Sequence, residues 1–322
     1  IWAHWIESNV AGQTAVASDQ YSAVVSADSP QLWYRLQETG TVTSITNSGA
    51  KGSALSGVVQ QINPTATATQ TPLATLGPVF GAIASPTTPN ATAPLFTGAE
   101  TQVRTRTDAT NSALSYVTSA PDGWTTAAPS YSFSVEAWVY VPNNPTGTMT
   151  IMSKGSDDTN IRNWGWNLYA VGTRLWLLLA WNAGIYADEA LQPGVWNHIV
   201  ATYNGGPYTS GPAYTTDLYV NGVWQSQEVE YNGAYCGGGY NLYNSGSYCS
   251  WNVDMAYVSN PVRIGASINN NTVAGTQARM QGYVADVAVY NTSLNASQVQ
   301  RHYNSSLVSM AFANQVKAVA GD

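Results

Sequence analysis

The chain has 322 residues, of which only 9% are charged, well below the roughly 25% that is usual for soluble domains. Its formal net charge of −7, with 11 basic residues, argues against nucleic-acid binding, which requires clustered lysine and arginine. No apolar run approaches the ~20 residues of a membrane span. Serine, threonine, asparagine, glutamine and glycine replace the charges, and this composition suits an extracellular or assembled protein better than a cytosolic enzyme.

Residues 1–20 are predicted to form an arm ahead of the first strand. The arm carries four large apolar residues, Ile1, Trp2, Trp5 and Ile6. Exposing two tryptophans to water is costly, so the arm either folds back on its own domain or docks on a neighbouring subunit, and we favour the neighbour. The chain begins at Ile1 rather than methionine, which a cleaved secretion signal or a processed virion protein would explain.

The next segments alternate between predicted strands and turns. A short helical turn and the strand Gln31–Leu36 are expected between residues 21 and 38. Residues 62–95 are rich in proline, threonine and alanine and have no apolar period, so they are interpreted as an extended insert. Strand structure is predicted to resume at Pro94–Gly98 and Thr101–Arg104.

The strongest pattern lies between residues 132 and 203. Around residue 137, apolar and polar side chains alternate with a period of two, which predicts a half-buried strand. One face carries Phe133, Val135, Ala137, Val139 and Val141, and the other carries Ser134, Glu136, Trp138 and Tyr140. Further strands are predicted at Met149–Met152, at Leu175–Trp181, which is apolar enough to be central, and at Trp196–Tyr203 after the turn pair Pro193-Gly194.

The last third of the chain contains a predicted hairpin, a long loop and a helix. Asn221-Gly222 predicts a type I′ turn within Leu218–Trp224. Strands are expected at Pro261–Gly265 and 282–290, followed by a short helix capped by Ser293 or Asn295 and by a tail, residues 308–322.

Two cysteines, Cys236 and Cys249, bracket the Gly/Tyr-rich loop of residues 231–254. A disulfide between them would close a short ring, which is worth about 3 kcal/mol by loop entropy. The alternative of two free thiols is expected only in a reducing compartment. We therefore predict the bridge.

Eight segments in order resemble a known family. FSVEAWVYVP, GVWNHIVATYNG, LYVNGVWQ, VRIGAS and MQGYVADVAVYNTSLNASQVQRHYN are among them, and the order is that of laminin G-like, concanavalin A-like jelly rolls. The upstream YSAVVSADSPQLWYRLQETG resembles the opening strand of such modules in phage virion proteins and bacterial surface proteins. The resemblance spans residues 21–307. It implies one all-β domain, a jelly-roll sandwich of two antiparallel sheets with an N-terminal arm and a short C-terminal helix.

Glycosidases with this fold use paired carboxylates on one strand, typically with a third in phase. The nearest pattern here is Glu228-Val229-Glu230, and no third carboxylate follows, so a solvated strand edge is the simpler interpretation. None of the three histidines, His4, His198 and His302, belongs to a recognisable catalytic motif. The sequence predicts that the protein is not an enzyme.

Aromatic residues favour a binding function. Sugars stack their C–H faces on such rings, while amides bind their hydroxyls. The candidate carbohydrate-binding residues are Trp164, Trp166, Trp181, Tyr186, Tyr240, Tyr243 and Tyr248. Aromatics also fill jelly-roll cores, and tyrosines favour protein interfaces, so Trp138, Trp176 and Trp196 are interpreted as packing residues and the loop tyrosines remain divided between glycan and subunit contact.

The resemblance also implies a possible calcium site, because calcium is common in the family and is held by carboxylate and carbonyl oxygens. Asp286 matches a carboxylate position of many relatives, and Glu38 and Glu100 are the other candidates.

The predicted function is that of a non-enzymatic structural or adhesive subunit of an extracellular assembly, such as a virion decoration or fibre protein or a cell-surface filament. Its expected partners are copies of itself, other subunits of the surface assembly, and glycans. A free secreted lectin is the alternative, and a glycoside hydrolase is the third possibility.

Overall fold

The structure is a computed structural model. It describes residues 20–61, 79–88, 91–97, 101–105, 132–154, 166–179, 183–188, 190–205, 214–226, 228–231, 262–266 and 279–307. The apolar residues of the predicted arm (Ile1, Trp2, Trp5 and Ile6), the two cysteines (Cys236 and Cys249) and the predicted tail lie outside these residues. The disulfide and the docking of the arm therefore stay predictions.

The described residues form strands, two helical segments and one 3-10 turn. The strands are β1 Leu32–Tyr34, β2 Ser44–Ile45, β3 Gly57–Gln61, β4 Val79–Ala84, β5 Thr92–Thr97, β6 Thr101–Thr105, β7 Ser132–Tyr140, β8 Thr148–Lys154, β9 Trp166–Val171, β10 Arg174–Leu179, β11 Ala183–Ala187, β12 Trp196–Gly205, β13 Tyr214–Val220, β14 Val223–Trp224, β15 Glu228–Tyr231, β16 Val262–Ile264 and β17 Gln281–Tyr290. Residues 20–27 (α1) and 296–307 (α2) are helical, and Gly52–Leu55 is the 3-10 turn. Neither described helix is long and apolar enough to cross a membrane.

The strands pair into two antiparallel sheets. The eight-stranded sheet has the order β14-β13-β12-β7-β17-β5-β4, with β1 also paired to β17. The nine-stranded sheet has the order β15-β11-β10-β9-β8-β16-β6-β3-β2. The predicted all-β sandwich is confirmed, and the apolar strand β10 lies inside its sheet between β9 and β11, as its composition predicted.

The main core lies between the two sheets. The eight-stranded sheet contributes one face of β7, including Phe133 and Val135, and the nine-stranded sheet contributes Leu168, Leu177 and Ile185. Each of these side chains is at most 1% exposed, and full burial of such a side chain is worth about 1.5–3 kcal/mol.

A second layer covers the outer face of the eight-stranded sheet. Tyr21 of α1 and Val299 of α2 pack there against Trp138 and Tyr290, and all four side chains are buried. Strand β7 is therefore buried on both faces, and the prediction of a half-buried strand is wrong. The period of two identified the faces correctly, but it could not show that helices from both ends of the described chain cover the polar one.

Part of the predicted insert, residues 79–95, also differs from expectation. It forms the hairpin β4–β5 at one edge of the eight-stranded sheet, where β5 pairs with β17. Ala93 and Thr87 are completely buried. Strand β4 (VFGAIA) is a continuous apolar run, so it lacks the period of two that marks a half-buried strand.

The turn between β13 and β14 has the predicted conformation. Asn221 and Gly222 both have positive φ, 52° and 77°, as a type I′ turn requires. The Asn221 side chain accepts a hydrogen bond from the His198 backbone N–H at 2.9 Å. A Cβ on Gly222 would lie 3.1 Å from Tyr303 of α2, so the turn is packed closely beneath that helix.

Of the two predicted caps of α2, Asn295 is the one that the structure uses. Its Oδ1 accepts the backbone N–H of Gln298 at 3.0 Å, and Gln298 Oε1 accepts the backbone N–H of Asn295 at 2.9 Å. This reciprocal pair is a capping box, which satisfies two backbone donors at the helix start.

Candidate functional site

The predicted calcium ligand Asp286 lies in a bulge of β17, between Ala285 and Ala288, with a positive φ of 46°. Its carboxylate accepts hydrogen bonds from Arg35 Nε at 3.3 Å and from the Thr87 hydroxyl. Burial raises the pKa of Asp286 to about 6, although Arg35 and Thr87 act in the opposite direction. A guanidinium at this distance competes with a metal cation for the carboxylate.

The other two calcium candidates do not join Asp286 in the described structure. Glu38 Oε1 accepts the backbone N–H of Thr46 at 3.2 Å, and Glu100 lies outside the described residues. Within the described part of the chain, no three His, Cys, Asp or Glu side chains form a group that could hold a metal ion. The described surroundings of Asp286 do not fit calcium, and the calcium site stays a prediction.

A buried acid–base cluster, which the sequence did not predict, ties the helices to the eight-stranded sheet. Its centre is Glu136 on the outer face of β7. Oε1 accepts hydrogen bonds from Tyr21 at 3.3 Å and from His198 Nε2 at 2.7 Å. Oε2 accepts from Tyr290 at 2.6 Å and from His302 Nδ1 at 2.9 Å. Burial alone raises the pKa of Glu136, but His302 and His198 outweigh it and hold the pKa well below its usual range.

His302 of α2 links this carboxylate to a second one. Its Nε2 lies 2.8 Å from Asp28 Oδ2, just after α1, while its Nδ1 faces Glu136. Both ring nitrogens face carboxylates, so both carry a proton and the ring is an imidazolium. Burial lowers the pKa of His302, but Glu136 and Asp28 outweigh it and raise the pKa above its ordinary value. Arg301 also pairs with Asp28 at 3.1 Å.

The cluster contains residue types that act in catalysis, but its geometry serves packing. Glu136, His198 and His302 have no exposed side-chain surface, so a substrate has no access to them in this arrangement. An acceptor that is hydrogen-bonded on all sides stabilises the cover over the sheet. The interpretation of His198 as a structural residue therefore agrees with its position.

The carbohydrate candidates fall in three places. Trp166 lies in the main core, is only 2% exposed, and stacks on Phe133 with ring centroids 5.9 Å apart. Its ring therefore offers no face to a sugar in this arrangement, which favours the packing alternative. Tyr186 lies on the outer face of the nine-stranded sheet and is partly exposed. The other candidates lie outside the described residues: Trp164, Trp181, Tyr240, Tyr243 and Tyr248.

Tyr186 belongs to an aromatic ladder, which we define as Tyr169, Trp176 and Tyr186. The three residues are directly opposite each other on β9, β10 and β11. The ring centroids are 5.6 and 4.4 Å apart, and both pairs are stacked. The Arg174 guanidinium lies 4.5 Å from the Tyr186 centroid and pairs with Asp188. Because these rings cover one another's faces, the ladder offers a sugar ring edges rather than open faces.

The paired glutamates lie beside the ladder. Strand β15 is the edge of the nine-stranded sheet, as predicted, and its register places Glu228 opposite Tyr186 and Glu230 opposite Gly184.

A polar groove opens on the outer face of the eight-stranded sheet, beside the start of α2. Its volume is about 630 Å³. It is lined by Ser132, Asn204, Asp217, Tyr219 and residues 291–296. These residues come from β7, β12 and β13, and the register places Ser132 opposite Asn204. The Ser132 hydroxyl donates to Asn204 Oδ1 at 2.8 Å, so hydroxyl and amide groups are already oriented along the groove wall.

Trp224 lies next to two of the lining residues, Asp217 and Tyr219. It lies opposite Tyr219 in the β13–β14 pair, and paired residues share one face of a sheet. Its side chain is 50% exposed, which is unusual for tryptophan, and its indole Nε1 donates to Asp217 Oδ1 at 2.8 Å. The half-exposed indole therefore lies beside a groove that offers hydroxyl, amide and carboxylate groups.

The sequence analysis placed Trp224 in a hairpin but did not identify it as a binding residue. A signal was present: the I′ turn sets the register, and this places Trp224 opposite Tyr219 and on the same face as Asp217. What the pattern could not show is which face stays open to solvent.

Comparisons with known proteins give a family match for part of the chain. Residues 111–254 match the model of the concanavalin A-like lectin/glucanases superfamily, in its Laminin_G_3 family. No curated protein matches the chain.

Three similar solved structures show low identity. Domain 4 of an extracellular arabinanase from Geobacillus stearothermophilus, in complex with arabinotriose, is 15% identical with a TM-score of 0.43, and the match covers 85% of this chain and 98% of that chain. The CBM40 domain of the Ruminococcus gnavus IT-sialidase, bound to α2,3-sialyllactose, is 10% identical with a TM-score of 0.36, over 53% of this chain and 82% of that chain.

The receptor binding domain of botulinum neurotoxin D is 10% identical with a TM-score of 0.44, and the match covers 86% of this chain but only 52% of the toxin domain. The matched range contains FSVEAWVYVP, GVWNHIVATYNG and LYVNGVWQ, whereas VRIGAS and MQGYVADVAVYNTSLNASQVQRHYN lie after it. Residues 111–254 of this protein are therefore similar to the laminin G-like domains of the concanavalin A-like lectin/glucanases superfamily.

Proposed function

We propose that the protein binds glycans without cleaving them, as an adhesive or structural subunit of an extracellular assembly. The observation that carries the proposal is the polar groove with the half-exposed Trp224 beside it. Aromatic faces and oriented polar groups are the two features that sugar recognition combines.

Trp224 is suited to stack on a sugar because its ring is held before the ligand arrives. The hydrogen bond from Nε1 to Asp217 restricts the indole, and a side chain that is already ordered loses less entropy when it binds. An aromatic contact of this kind contributes about 0.5–1.5 kcal/mol beyond the area that it buries.

The groove walls supply hydrogen-bonding partners for sugar hydroxyls. Asn204 offers an amide and Ser132 a hydroxyl, and Asn291 and Thr292 on the opposite side are exposed. The groove is wide and open, with a volume of about 630 Å³, which leaves room for a short oligosaccharide segment.

Binding without hydrolysis is supported by the carboxylate content of the groove's described lining. Glycoside hydrolysis uses two carboxyl groups, about 5–9.5 Å apart, as acid and base or nucleophile. Among the described residues that line the groove, Asp217 is the one carboxylate, and it accepts the hydrogen bond of Trp224. We therefore expect affinity for a glycan and no release of reducing sugar.

The extracellular assembly is supported by composition and by the apolar arm. A surface with 9% charged residues relies on neutral polar groups, and burial of Ile1, Trp2, Trp5 and Ile6 against a neighbour would stabilise association by several kcal/mol at ~25 cal/mol/Å². Deleting residues 1–20 is expected to leave a folded monomer and to abolish assembly. Light scattering and electron microscopy of the native and truncated proteins measure this directly, and normal assembly of the truncated protein would contradict the role of the arm.

A glycan array with the full chain tests the binding proposal. Trp224→Ala should weaken binding about tenfold, on the scale of one stacking contact and its buried area. The matched control is Val223→Ala, because Val223 is 60% exposed on the same edge strand and should leave binding unchanged.

A second variant, Tyr186→Ala, distinguishes the groove from the aromatic ladder. Loss of binding in Tyr186→Ala but not in Trp224→Ala would move the site to the ladder. Failure of the intact protein to bind any glycan, or hydrolysis of a bound one, would contradict the proposed function.

A further inference from the structure

The polar groove carries a single charge in the described structure. Of the described residues that line it, Asp217 is the one carboxylate, and no lysine or arginine is among them. The remaining lining groups are hydroxyls, amides and apolar side chains, together with the phenol of Tyr219. The electrostatic character of the groove therefore depends on one carboxylate.

The field of Asp217 reaches the wall of the groove. Burial raises the pKa of Tyr219, and the negative charge of the neighbouring Asp217 acts in the same direction. The hydrogen bond from Trp224 holds the carboxylate in place beside the indole on which a sugar ring would stack.

Three arginines of the described structure form ion pairs with carboxylates outside the groove. Arg35 pairs with Asp286, Arg174 with Asp188 and Arg301 with Asp28. Recognition of a sugar carboxylate or sulfate depends on a guanidinium or ammonium placed against it, since charge-assisted hydrogen bonds are about twice as strong as neutral ones. The described lining of the groove has no such group, and the net charge of −7 adds a long-range repulsion.

We infer that the groove selects neutral sugars, and that it rejects glycans that carry a carboxylate or sulfate on the residue stacked against Trp224. This inference rests on the proposed glycan-binding function and names the ligand class of the same groove. A ligand anion within about 4–6 Å of Asp217 meets like-charge repulsion near a protein surface, which should weaken binding about tenfold or more at low salt.

The test uses the full chain and matched pairs of immobilised oligosaccharides, each neutral glycan beside its sialylated, uronic-acid or sulfated derivative. The neutral member should bind at least about tenfold more tightly, and the difference should shrink as salt is raised from 0.02 to about 0.5 M, because screening weakens exposed repulsion. Asp217→Asn keeps an oxygen for Trp224 and removes the charge, so it should narrow the difference to a few-fold. A second variant, Asp217→Ala, removes both the charge and the hydrogen-bond acceptor of Trp224, so its comparison with Asp217→Asn separates the two effects.

The outcomes separate the two proposals. Acidic members that bind as tightly as neutral ones, in a manner that Trp224→Ala abolishes, would overturn the neutral-sugar inference and leave the glycan-binding function intact. Equal discrimination by the native protein and Asp217→Asn would also overturn it, because the charge would then not set the preference. Absence of binding to both members of every pair would contradict the proposed function itself, and the inference with it.

Discussion

The outer faces of the two sheets are built on opposite principles. On the eight-stranded sheet, α1 and α2 cover a carboxylate, Glu136, that is fully buried and accepts four hydrogen bonds. On the nine-stranded sheet, the polar contact beside the aromatic ladder is the Arg174–Asp188 pair, whose side chains are 41% and 49% exposed.

The difference shows that burial, more than residue type, decides what a polar contact contributes. A buried carboxylate has lost its water and depends on its protein partners, so removal of a partner is costly. An exposed pair exchanges protein contacts for water at little cost. Three predictions sharpen this comparison.

The largest effect is expected at Glu136. Glu136→Ala should lower the free energy of unfolding by about 3–5 kcal/mol, because it leaves the His302 imidazolium and two tyrosine hydroxyls buried without their acceptor. Urea unfolding followed by circular dichroism measures the loss. A loss below about 1 kcal/mol would show that the cluster is not a determinant of stability.

A pH-dependent effect is expected at His302. The folded state holds its proton more tightly than the unfolded state, whose pKa is about 6.5, so the stabilisation is complete below about pH 6.5 and is lost as pH rises through the raised folded pKa. Measurement of unfolding free energies between pH 5 and 9 should show a decline in the native protein that His302→Gln lacks.

Two other groups titrate near this range, and the variant comparison separates them. The pKa of Asp286 is raised to about 6, so its contribution to the free energy of unfolding falls as the pH rises from about 4 to 6. Burial lowers the pKa of Lys154 to about 7, so its contribution to the free energy of unfolding rises as the pH increases above about 7. Both persist in His302→Gln, and an identical pH profile in the variant would contradict the role assigned to His302.

The smallest effect is expected at the exposed pair. Asp188→Asn should change the free energy of unfolding by at most about 1 kcal/mol, and high salt should remove even this difference, because an exposed ion pair is screened. Thermal unfolding at low and high salt tests the expectation. A loss as large as that of Glu136→Ala would break the comparison between the two faces.

Local pattern was sufficient for much of the fold. The alternation at Ser132–Tyr140 identified both faces of β7, and Asn221-Gly222 identified the turn that aligns Trp224 with Tyr219. Strand β4 was missed because it is a continuous apolar run, VFGAIA, without a period of two, inside a segment rich in proline, threonine and alanine. The sequence could not show whether β7 is half-buried or fully buried, because the residues that cover its outer face lie more than 100 positions away in the chain.

For the candidate site too, the sequence predicted the residue types, and the tertiary structure decided their exposure. The sequence indicated that aromatic and amide groups would form a glycan site, but the rings named for it included Trp166, which the structure buries in the main core. Trp224 remained unrecognised because exposure is a property of the surrounding surface and leaves no local mark on an edge strand of two residues.

By itself the sequence determined the strand periods and the turn and narrowed the helix cap to two residues, because each depends on residues that are close together in the chain. Only the tertiary structure decided the partners of Glu136, since His302 lies 166 positions away and the buried carboxylate is stable only where distant donors converge on it. The same holds for the groove, whose walls come from three strands and the start of α2. Periodicity reports which way a side chain points, and long-range packing determines what it meets.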